Sequence, residues 1–459
     1  MHQASSHSDT IAAVATPAGT GGIAVIRISG TRALEIADAV FRRSGNPAGT
    51  LAEAISHTVH HGYVERGGIR LDEVLATVLR APRTFTREDT VEISCHGGRV
   101  VTRQVLESLL AAGARLAEPG EFALRAFLNG RLDLTQAEAV ADLIEARTSL
   151  AARAAVQQMG GRLSERLRGL REDLLNILAH VEAHIDFPEE DIAPDSRERM
   201  LARLGDARDQ VEQLQRTASE GRILREGVRV AILGRPNAGK SSLLNLLLGN
   251  DRAIVSAIPG TTRDTVEECA TVRGLPLVFI DTAGLRETED PIEAEGIRRS
   301  LKAARDADLI LHVLDGTQPP ITTADVLGED LALKPTIRVR SKSDLPTLWE
   351  DPFLRDAVAV SATTAEGLET LRSTMDARLG TQHLSADEWS VTVNARQAAA
   401  LHRAEGSLTR TIRSLSQEAS LDLVALDLRA ALGALGEITG QVTTESLLDA
   451  IFGQFCLGK

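Results

Sequence analysis

Residues 230–245 of this 459-residue chain read VAILGRPNAGKSSLLN. An apolar run typical of a buried strand leads into a loop between Gly234 and Gly239, and an amphipathic helix follows. The spacing of these glycines from Lys240 and Ser241 is that of the phosphate-binding P-loop. Backbone N–H groups of such a loop and the helix N-terminus both stabilise phosphate charge. The stretch predicts a nucleoside triphosphate site, with Lys240 on the β- and γ-phosphates and Ser241 on Mg²⁺.

Later segments resemble the other nucleotide-binding motifs of GTPases. Residues 260–264 read GTTRD and can supply a threonine to the metal, and residues 278–284 read VFIDTAG. In the second segment Asp281 suits the Mg²⁺ shell and Gly284 can follow the γ-phosphate. Because the motifs occur in the usual order and spacing, they predict a GTPase domain.

Two further segments favour guanine as the base. Predicted strands at 336–339 and 357–360 lead into SKSD at 341–344 and SA at 361–362. The first resembles the NKxD motif, in which Asp344 would accept hydrogen bonds from guanine N1–H and the amino group. Ser341 replaces the usual Asn, so weaker guanine binding is expected.

Hydrolysis by this chain needs a different arrangement from that of Ras-like enzymes. Leu285 follows DTAG where those enzymes have the Gln that orients the attacking water. The side-chain oxygen of Asn237 can bind a monovalent cation beside the phosphates, which would replace an arginine finger. The P-loop alone leaves open a second interpretation, in which Asn237 only caps the loop.

Composition and length narrow the class of protein. A chain of this length predicts two or three domains. Its net charge is −13, so any contact with a nucleic acid must be local. We expect a cytoplasmic protein, because there is neither an apolar run long enough for a membrane span nor a signal-peptide pattern.

The pattern along the chain predicts a multidomain α/β protein. Strands at 23–28 and 91–95 and a helix at 100–110 indicate an N-terminal α/β domain, and a leucine-rich seam from Leu163 to Ile185 indicates an all-α domain. A P-loop GTPase domain, with a mainly parallel sheet and flanking helices, interrupts the all-α domain. The predicted boundaries are 1–126 for the N-terminal domain, 127–221 and 384–459 for the two helical parts, and 222–383 for the GTPase domain.

Several segments closely resemble the MnmE (TrmE) family of tRNA modification GTPases, and the resemblance covers nearly the whole chain. They are GRPNAGKSSLLN at 234–245, the loop at 253–264, DTAGLRE at 281–287, IRISG at 26–30, CHGG at 95–98, PGEF at 119–122, LDLTQAEA at 132–139 and FCLGK at 455–459. The resemblance implies a GTPase that acts with GTP, Mg²⁺ and K⁺.

The same resemblance assigns roles within the GTPase domain. It implies a K⁺ site of Asn237, Ser256, Ile258 and Thr261, a Mg²⁺ site of Ser241 and Thr262, and catalysis by Glu293 together with Asn237 and Lys240. The implied GTP contacts are Asn237, Ala238, Gly239, Lys240, Ser241, Ser242, Ser256, Ala257, Ile258, Pro259, Gly260, Thr261, Thr262, Asp281, Thr282, Ala283, Gly284, Lys342, Asp344, Ser361 and Ala362. Without the resemblance, Glu293 would be interpreted as a solvated helix carboxylate.

The N-terminal domain and the C-terminus carry the remaining implied roles. By resemblance Arg27, Glu92, Arg131 and Lys459 bind a reduced folate, 5-formyl- or methylene-tetrahydrofolate, in a homodimer. Arg27 also lies midway along an apolar strand, where an unpaired charge is costly, so an anionic partner is expected there. The implied partners are the FAD protein MnmG (GidA), in a heterotetramer, and tRNA, whose wobble uridine is modified at C5. The alternative is an RNA- or ribosome-binding switch GTPase without a modification role.

Overall fold

The computed structural model describes residues 9–45, 48–187, 197–249, 268–280, 302–318, 334–347, 356–379, 391–455 and 458. The chain divides into two compact units, Met1–Ala141 with Leu432–Lys459 and Asp142–Ala431. Within the described residues, none of the helices is both long and apolar enough to cross a membrane. The four predicted domain segments stay a prediction.

A seven-stranded sheet in the order β3-β4-β5-β6-β2-β1-β7 forms the frame of the first unit. Its strands are β1 (Ile11–Val14), β2 (Ile23–Ser29), β3 (Phe41–Arg43), β4 (Thr58–Arg66), β5 (Ile69–Leu79), β6 (Thr90–His96) and β7 (Arg115–Leu116). Neighbours are antiparallel, except that β1 and β7 are parallel. Both strands predicted from the apolar runs are therefore present, as β2 and β6.

One face of this sheet is buried beneath two helices, α1 (Ala33–Val40) and α2 (Arg99–Ala111). Ile36 of α1 and Leu109 of α2 belong to one core cluster with Ile26 and Ile93 from the central strands. Since side chains alternate along a strand, the neighbouring Arg27 lies on the opposite face. A third helix, α3 (Glu121–Leu128), follows β7.

The end of the chain packs within the same unit. The start of α4 (Leu134–Glu145) forms an apolar cluster with the last helix, α13 (Glu445–Phe452), and Phe455 joins this cluster. Gly120 at the start of α3 has a φ of 69°, and a Cβ there would collide with the Phe452 carbonyl oxygen. The chain as far as Phe455 is therefore packed into the apolar cluster of this unit.

Helices surround the nucleotide-binding fold in the second unit. They are α5 (Ser149–Met159), α6 (Arg162–Asp186), α7 (Arg197–Arg216), α8 (Ala218–Glu226), α11 (Ala395–Ser416) and α12 (Leu421–Thr439), the last of which extends into the first unit. Leu163, Leu167, Leu170 and Leu174 are all buried along α6, which confirms the predicted seam. The α7 helix packs against both α6 and α11.

A six-stranded sheet in the order β13-β12-β11-β8-β10-β9 forms the core of the second unit. Its strands are β8 (Val228–Leu233), β9 (Glu268–Val272), β10 (Leu275–Phe279), β11 (Leu309–Asp315), β12 (Thr336–Ser341) and β13 (Val358–Ala359), flanked by α9 (Lys240–Leu248) and α10 (Leu368–Leu379). Only β9 runs antiparallel to its neighbour, so the prediction of a mainly parallel sheet is confirmed.

The segments that precede and follow this nucleotide-binding fold lie next to each other. It enters through α8 and returns at Val393, immediately before α11. The Arg225 Nη2 of α8 donates to the Val393 carbonyl oxygen at 2.7 Å. A Cβ at Gly221 would lie 2.6 Å from that same oxygen, so the contact between the two segments depends on a glycine.

Candidate functional site

The P-loop joins the carboxyl end of β8 to the N-terminus of α9. Since β8 lies between β11 and β10, the loop sits where the strand order reverses, the usual ligand position of an open parallel sheet. Gly234 has a φ of 153° and packs so closely on the Val313 carbonyl that a Cβ would overlap it. Gly239 caps α9 in the left-handed conformation, with a φ of 93°.

The Lys240 ammonium group is hydrogen-bonded to the P-loop itself, at the place where a phosphate is expected to bind. Its Nζ donates to the carbonyl oxygens of Gly234 at 3.0 Å and Arg235 at 2.7 Å. Burial lowers the pKa of Lys240 below its ordinary value. A phosphate beside this group would favour its charged form, so an anion and Lys240 stabilise each other.

At the tip of the P-loop, Asn237 is exposed and has a φ of 61°. Its amide oxygen has the ligand chemistry of a monovalent cation site. Ser241 lies exposed in the first turn of α9. Its place directly after Lys240 is that of the P-loop residue whose hydroxyl binds Mg²⁺.

Loops from β12 and β13 reach the same edge of the sheet. The Ser341 Oγ donates to the Ala238 carbonyl oxygen at 2.6 Å and lies 3.2 Å from the Leu314 carbonyl oxygen. Ser361 is fully buried, and its Oγ accepts hydrogen bonds from Thr363 N and Thr364 N, each at 3.2 Å. Ser341 thus ties the first predicted base loop to the P-loop.

Asp315 is a member of this site that the sequence analysis missed. Its Oδ2 lies 2.7 Å from the Lys342 Nζ, and its Oδ1 accepts from the Thr317 N–H and hydroxyl. Burial opposes ionisation, but hydrogen bonds from Lys342 and Thr317 outweigh it and lower the pKa of the Asp315 carboxyl. The available signal was its place at the end of an apolar strand, immediately before Gly316.

Several predicted nucleotide ligands lie outside the described residues. These are Ser256, Ala257, Ile258, Pro259, Gly260, Thr261, Thr262, Asp281, Thr282, Ala283, Gly284 and Glu293. Their roles stay predictions. The part of the site that the structure describes consists of the P-loop and the two base loops.

A second polar site lies on the face of the N-terminal sheet that is turned away from α1 and α2, where Arg27 and Glu92 are half-buried. Arg27 and Glu92 are directly paired across β2 and β6, and the Arg27 Nε lies 2.8 Å from the Glu92 Oε1. The anionic partner expected for Arg27 is therefore present within the protein. The Arg27 guanidinium also lies 5.9 Å from the ring centroid of Phe85 and 5.6 Å from that of Phe122.

Arg131 approaches this site from the segment that follows α3. Its guanidinium carbon is 5.1 Å from the Phe85 centroid, and its Nη1 donates to the Thr84 carbonyl oxygen at 2.7 Å. Burial, reinforced by the charge of Arg87, lowers the pKa of Arg131. Three predicted site residues, Arg27, Glu92 and Arg131, thus gather at aromatic rings, while Lys459 lies outside the described residues.

A partly buried charged network holds α3, which carries Phe122. The Arg125 Nη2 contacts Asp9 Oδ1 at 2.5 Å and Glu121 Oε1 at 2.9 Å. Arg115 also pairs with both of these carboxylates. Burial opposes ionisation of Glu121, but hydrogen bonds from Arg115 and the Glu118 N–H lower its pKa. Sequence analysis missed this network, because its members lie up to 116 residues apart.

The chain matches two family models that together span most of its length. The model described as "GTP-binding protein TrmE N-terminus" matches residues 10–131. The model described as "MnmE helical domain" matches residues 134–456, a range that includes the nucleotide-binding fold.

Curated relatives extend the similarity to the whole chain. A tRNA modification GTPase MnmE of Listeria welshimeri is 47% identical over 458 residues, covering 98% of this chain and 99% of the relative. Proteins of the same name from Geobacillus kaustophilus and Bacillus subtilis are 47% and 45% identical over 461 residues. Each of these two alignments covers 98% of this chain, with 99% and 100% of the respective relative. The chain therefore belongs to the MnmE family of tRNA modification GTPases.

Proposed function

We propose that this chain is a cytoplasmic, K⁺-dependent GTPase that installs an aminomethyl or carboxymethylaminomethyl group at C5 of the wobble uridine in certain tRNAs. It works as a homodimer with the FAD protein MnmG (GidA), in a heterotetramer. A reduced folate, 5-formyl- or methylene-tetrahydrofolate, supplies the one-carbon unit. GTP hydrolysis drives a conformational change and takes no part in the carbon chemistry. The hydrogen bond that ties the Ser341 loop to the P-loop, in a chain of this family, carries the proposal.

At the nucleotide site, the phosphates replace the two loop carbonyls as partners of Lys240. Ser241 and Thr262 hold Mg²⁺, which neutralises developing phosphate charge. Asn237, Ser256, Ile258 and Thr261 hold K⁺ where other GTPases use an arginine finger. Glu293 positions the attacking water, since Leu285 lacks the polar atoms for this task.

At the second site, the chemistry of a folate matches the residues present. A folate combines a planar ring system with negatively charged carboxylates. Phe85, which is half-buried, provides an aromatic surface, and Arg27 and Arg131 provide cations beside it. Glu92 can accept hydrogen bonds from ring N–H groups while it orients Arg27.

The C-terminal tail is proposed to complete this folate site. Phe455 is buried in the cluster at α13, and Gly458 packs against the carbonyl of Val14 at the end of β1. Val14 is paired with Ile26, the residue before Arg27. Lys459, the residue after Gly458, is proposed to meet a folate carboxylate, and Cys456 to have a structural or transfer-assisting role.

Wobble-uridine mass spectrometry of tRNA tests the proposal. A strain lacking this protein should lose the C5 modification, and the wild-type gene should restore it. The Lys240→Ala variant, expressed at the same level, should not. An unchanged wobble uridine in the deletion strain would favour the switch GTPase.

A further inference from the structure

The Ser341 hydroxyl has a single hydrogen to donate, and the P-loop takes it. Ser341 is 8% exposed, and its Oγ is 2.6 Å from the Ala238 carbonyl oxygen. The other neighbour of this oxygen is also an acceptor, the Leu314 carbonyl at 3.2 Å. Serine has one O–H donor, whereas an Asn amide has two N–H donors. The hydroxyl therefore has no second hydrogen for a bound base.

A protein that binds guanine must offer hydrogen-bond donors to some edges of the base and acceptors to others. Its N7 and O6 accept hydrogen bonds, while N1–H and the 2-amino group donate them. Asp344, which is exposed at the end of the base loop, can satisfy the two donors. An acceptor-only atom such as N7 gains nothing from the lone pairs of Ser341, so it requires a donor from elsewhere.

The side chains of Lys342 and Ser343, the two residues between Ser341 and Asp344, are not available to a bound base. The Lys342 Nζ pairs with the Asp315 Oδ2 at 2.7 Å, and this carboxylate is itself fixed by Thr317. The Ser343 Oγ is covered by protein on all sides and cannot touch a ligand in this arrangement. Within the described residues, no side chain of residues 341–344 therefore has a free donor for guanine N7.

We propose that this GTPase recognises only the Watson–Crick edge of guanine and leaves N7 without a protein hydrogen bond. The inference rests on the proposed binding of guanine nucleotides, and it specifies which atoms of the base the protein recognises. Guanosine nucleotides in which N7 is replaced by C–H, the 7-deaza analogues, are bound as well as the natural ones. Ser341 is a positioning residue that ties the base loop to the P-loop.

Direct binding measurements on the purified full-length protein test this selectivity. GDP and 7-deaza-GDP, each with Mg²⁺ and K⁺, should bind the wild-type protein with dissociation constants within twofold of one another. The Ser341→Asn variant gains an N–H donor, so it should bind GDP more tightly than 7-deaza-GDP by roughly threefold to tenfold, the effect of one hydrogen bond. The matched Ser219→Asn variant, altered at an exposed position of α8, should behave as wild type.

The possible outcomes separate this inference from the proposed function. Wild-type protein that binds GDP at least threefold more tightly than 7-deaza-GDP would overturn the inference and leave the guanine assignment standing. Binding of ADP as tight as that of GDP would refute both. The wild-type comparison decides the question even if the Ser341→Asn variant fails to fold.

Discussion

The two sheets of this protein place their polar sites in opposite ways. In the parallel sheet, the candidate residues follow the carboxyl ends of the strands, and each motif is a continuous run such as residues 234–241. In the antiparallel sheet, Arg27 and Glu92 lie in mid-strand, 65 residues apart, and only the strand register brings them together. A loop site can therefore be identified from local sequence, whereas a site on a sheet face depends on tertiary pairing.

Deleting residues 456–459 should produce the largest effect and separate the two regions. We expect wobble-uridine modification in cells to be abolished, because Gly458 packs against Val14 on the strand next to Arg27 and the tail is proposed to complete the folate site. GTP hydrolysis by the purified protein in KCl should persist, since the nucleotide site belongs to the other unit. Mass spectrometry of tRNA and a phosphate-release assay measure the two. Normal modification by the truncated protein would contradict this assignment, and lost hydrolysis would show that the tail supports the fold.

Acid should destabilise the parallel sheet first. Each sheet buries a histidine whose pKa is lowered by burial, His60 on β4 and His312 on β11, but the shift is large only for His312. His312 on β11 is 2% exposed, and burial, reinforced by the charge of Arg338, lowers its pKa from 6.5 to about 4. Between these pH values the unfolded chain binds a proton that the folded chain excludes, so stability falls as the pH drops from 6.5 towards 4. The full difference is about 3 kcal/mol, at about 1.4 kcal/mol for each pH unit.

Urea unfolding at pH 7.0 and 5.0, followed by hydrogen exchange in each sheet, measures this difference. The His312→Gln variant should lose less stability on acidification than the wild type, while the exposed His402→Gln control should not change the pH dependence. The network of Asp9 and Glu121 should be lost only at lower pH, because the lowered pKa values of these carboxyls stabilise the folded chain until the pH falls below their ordinary values of 3.8 and 4.5. Earlier exchange in the antiparallel sheet would reverse the expected order.

Replacing K⁺ should affect only the loop site. GTP turnover should be more than tenfold faster in KCl than in NaCl, because the cation beside Asn237 supplies transition-state charge. Asn237→Ala should remove this K⁺ stimulation and leave GDP affinity within about threefold. Equal turnover of the wild type in the two salts would rule out the cation site and leave Asn237 as a loop-capping residue.

Arg27→Gln should have the smallest effect, confined to the sheet-face site. We expect a roughly tenfold loss in affinity for 5-formyl-tetrahydrofolate, since one charge-assisted contact to a partly exposed ligand is lost. Isothermal titration measures the affinity, and GTP turnover provides the internal control. The matched Arg32→Gln variant, at an exposed position ahead of α1, should retain full affinity. Unchanged folate binding by Arg27→Gln would place the ligand elsewhere.

Sequence patterns were sufficient for the parts of the fold with strong periodicity. The apolar strands at β2, β6 and β12 and the leucine seam of α6 were predicted correctly, and the family assignment confirms a GTPase of tRNA modification. The P-loop could also be predicted from the sequence, because its backbone conformation requires glycines at a fixed spacing. The folate residues, by contrast, came from family resemblance and stay predictions.

The sequence alone determined the P-loop, the amphipathic helices and the order of the GTPase motifs. The P-loop and the helices depend on residues that lie close together along the chain. Only the tertiary structure decided contacts between distant segments. These include the bond from Ser341 to Ala238, the pair of Lys342 with Asp315, and the network around Arg125. The physical reason is that a hydrogen bond acts only within about 3 Å, and folding alone brings such separated residues to that distance.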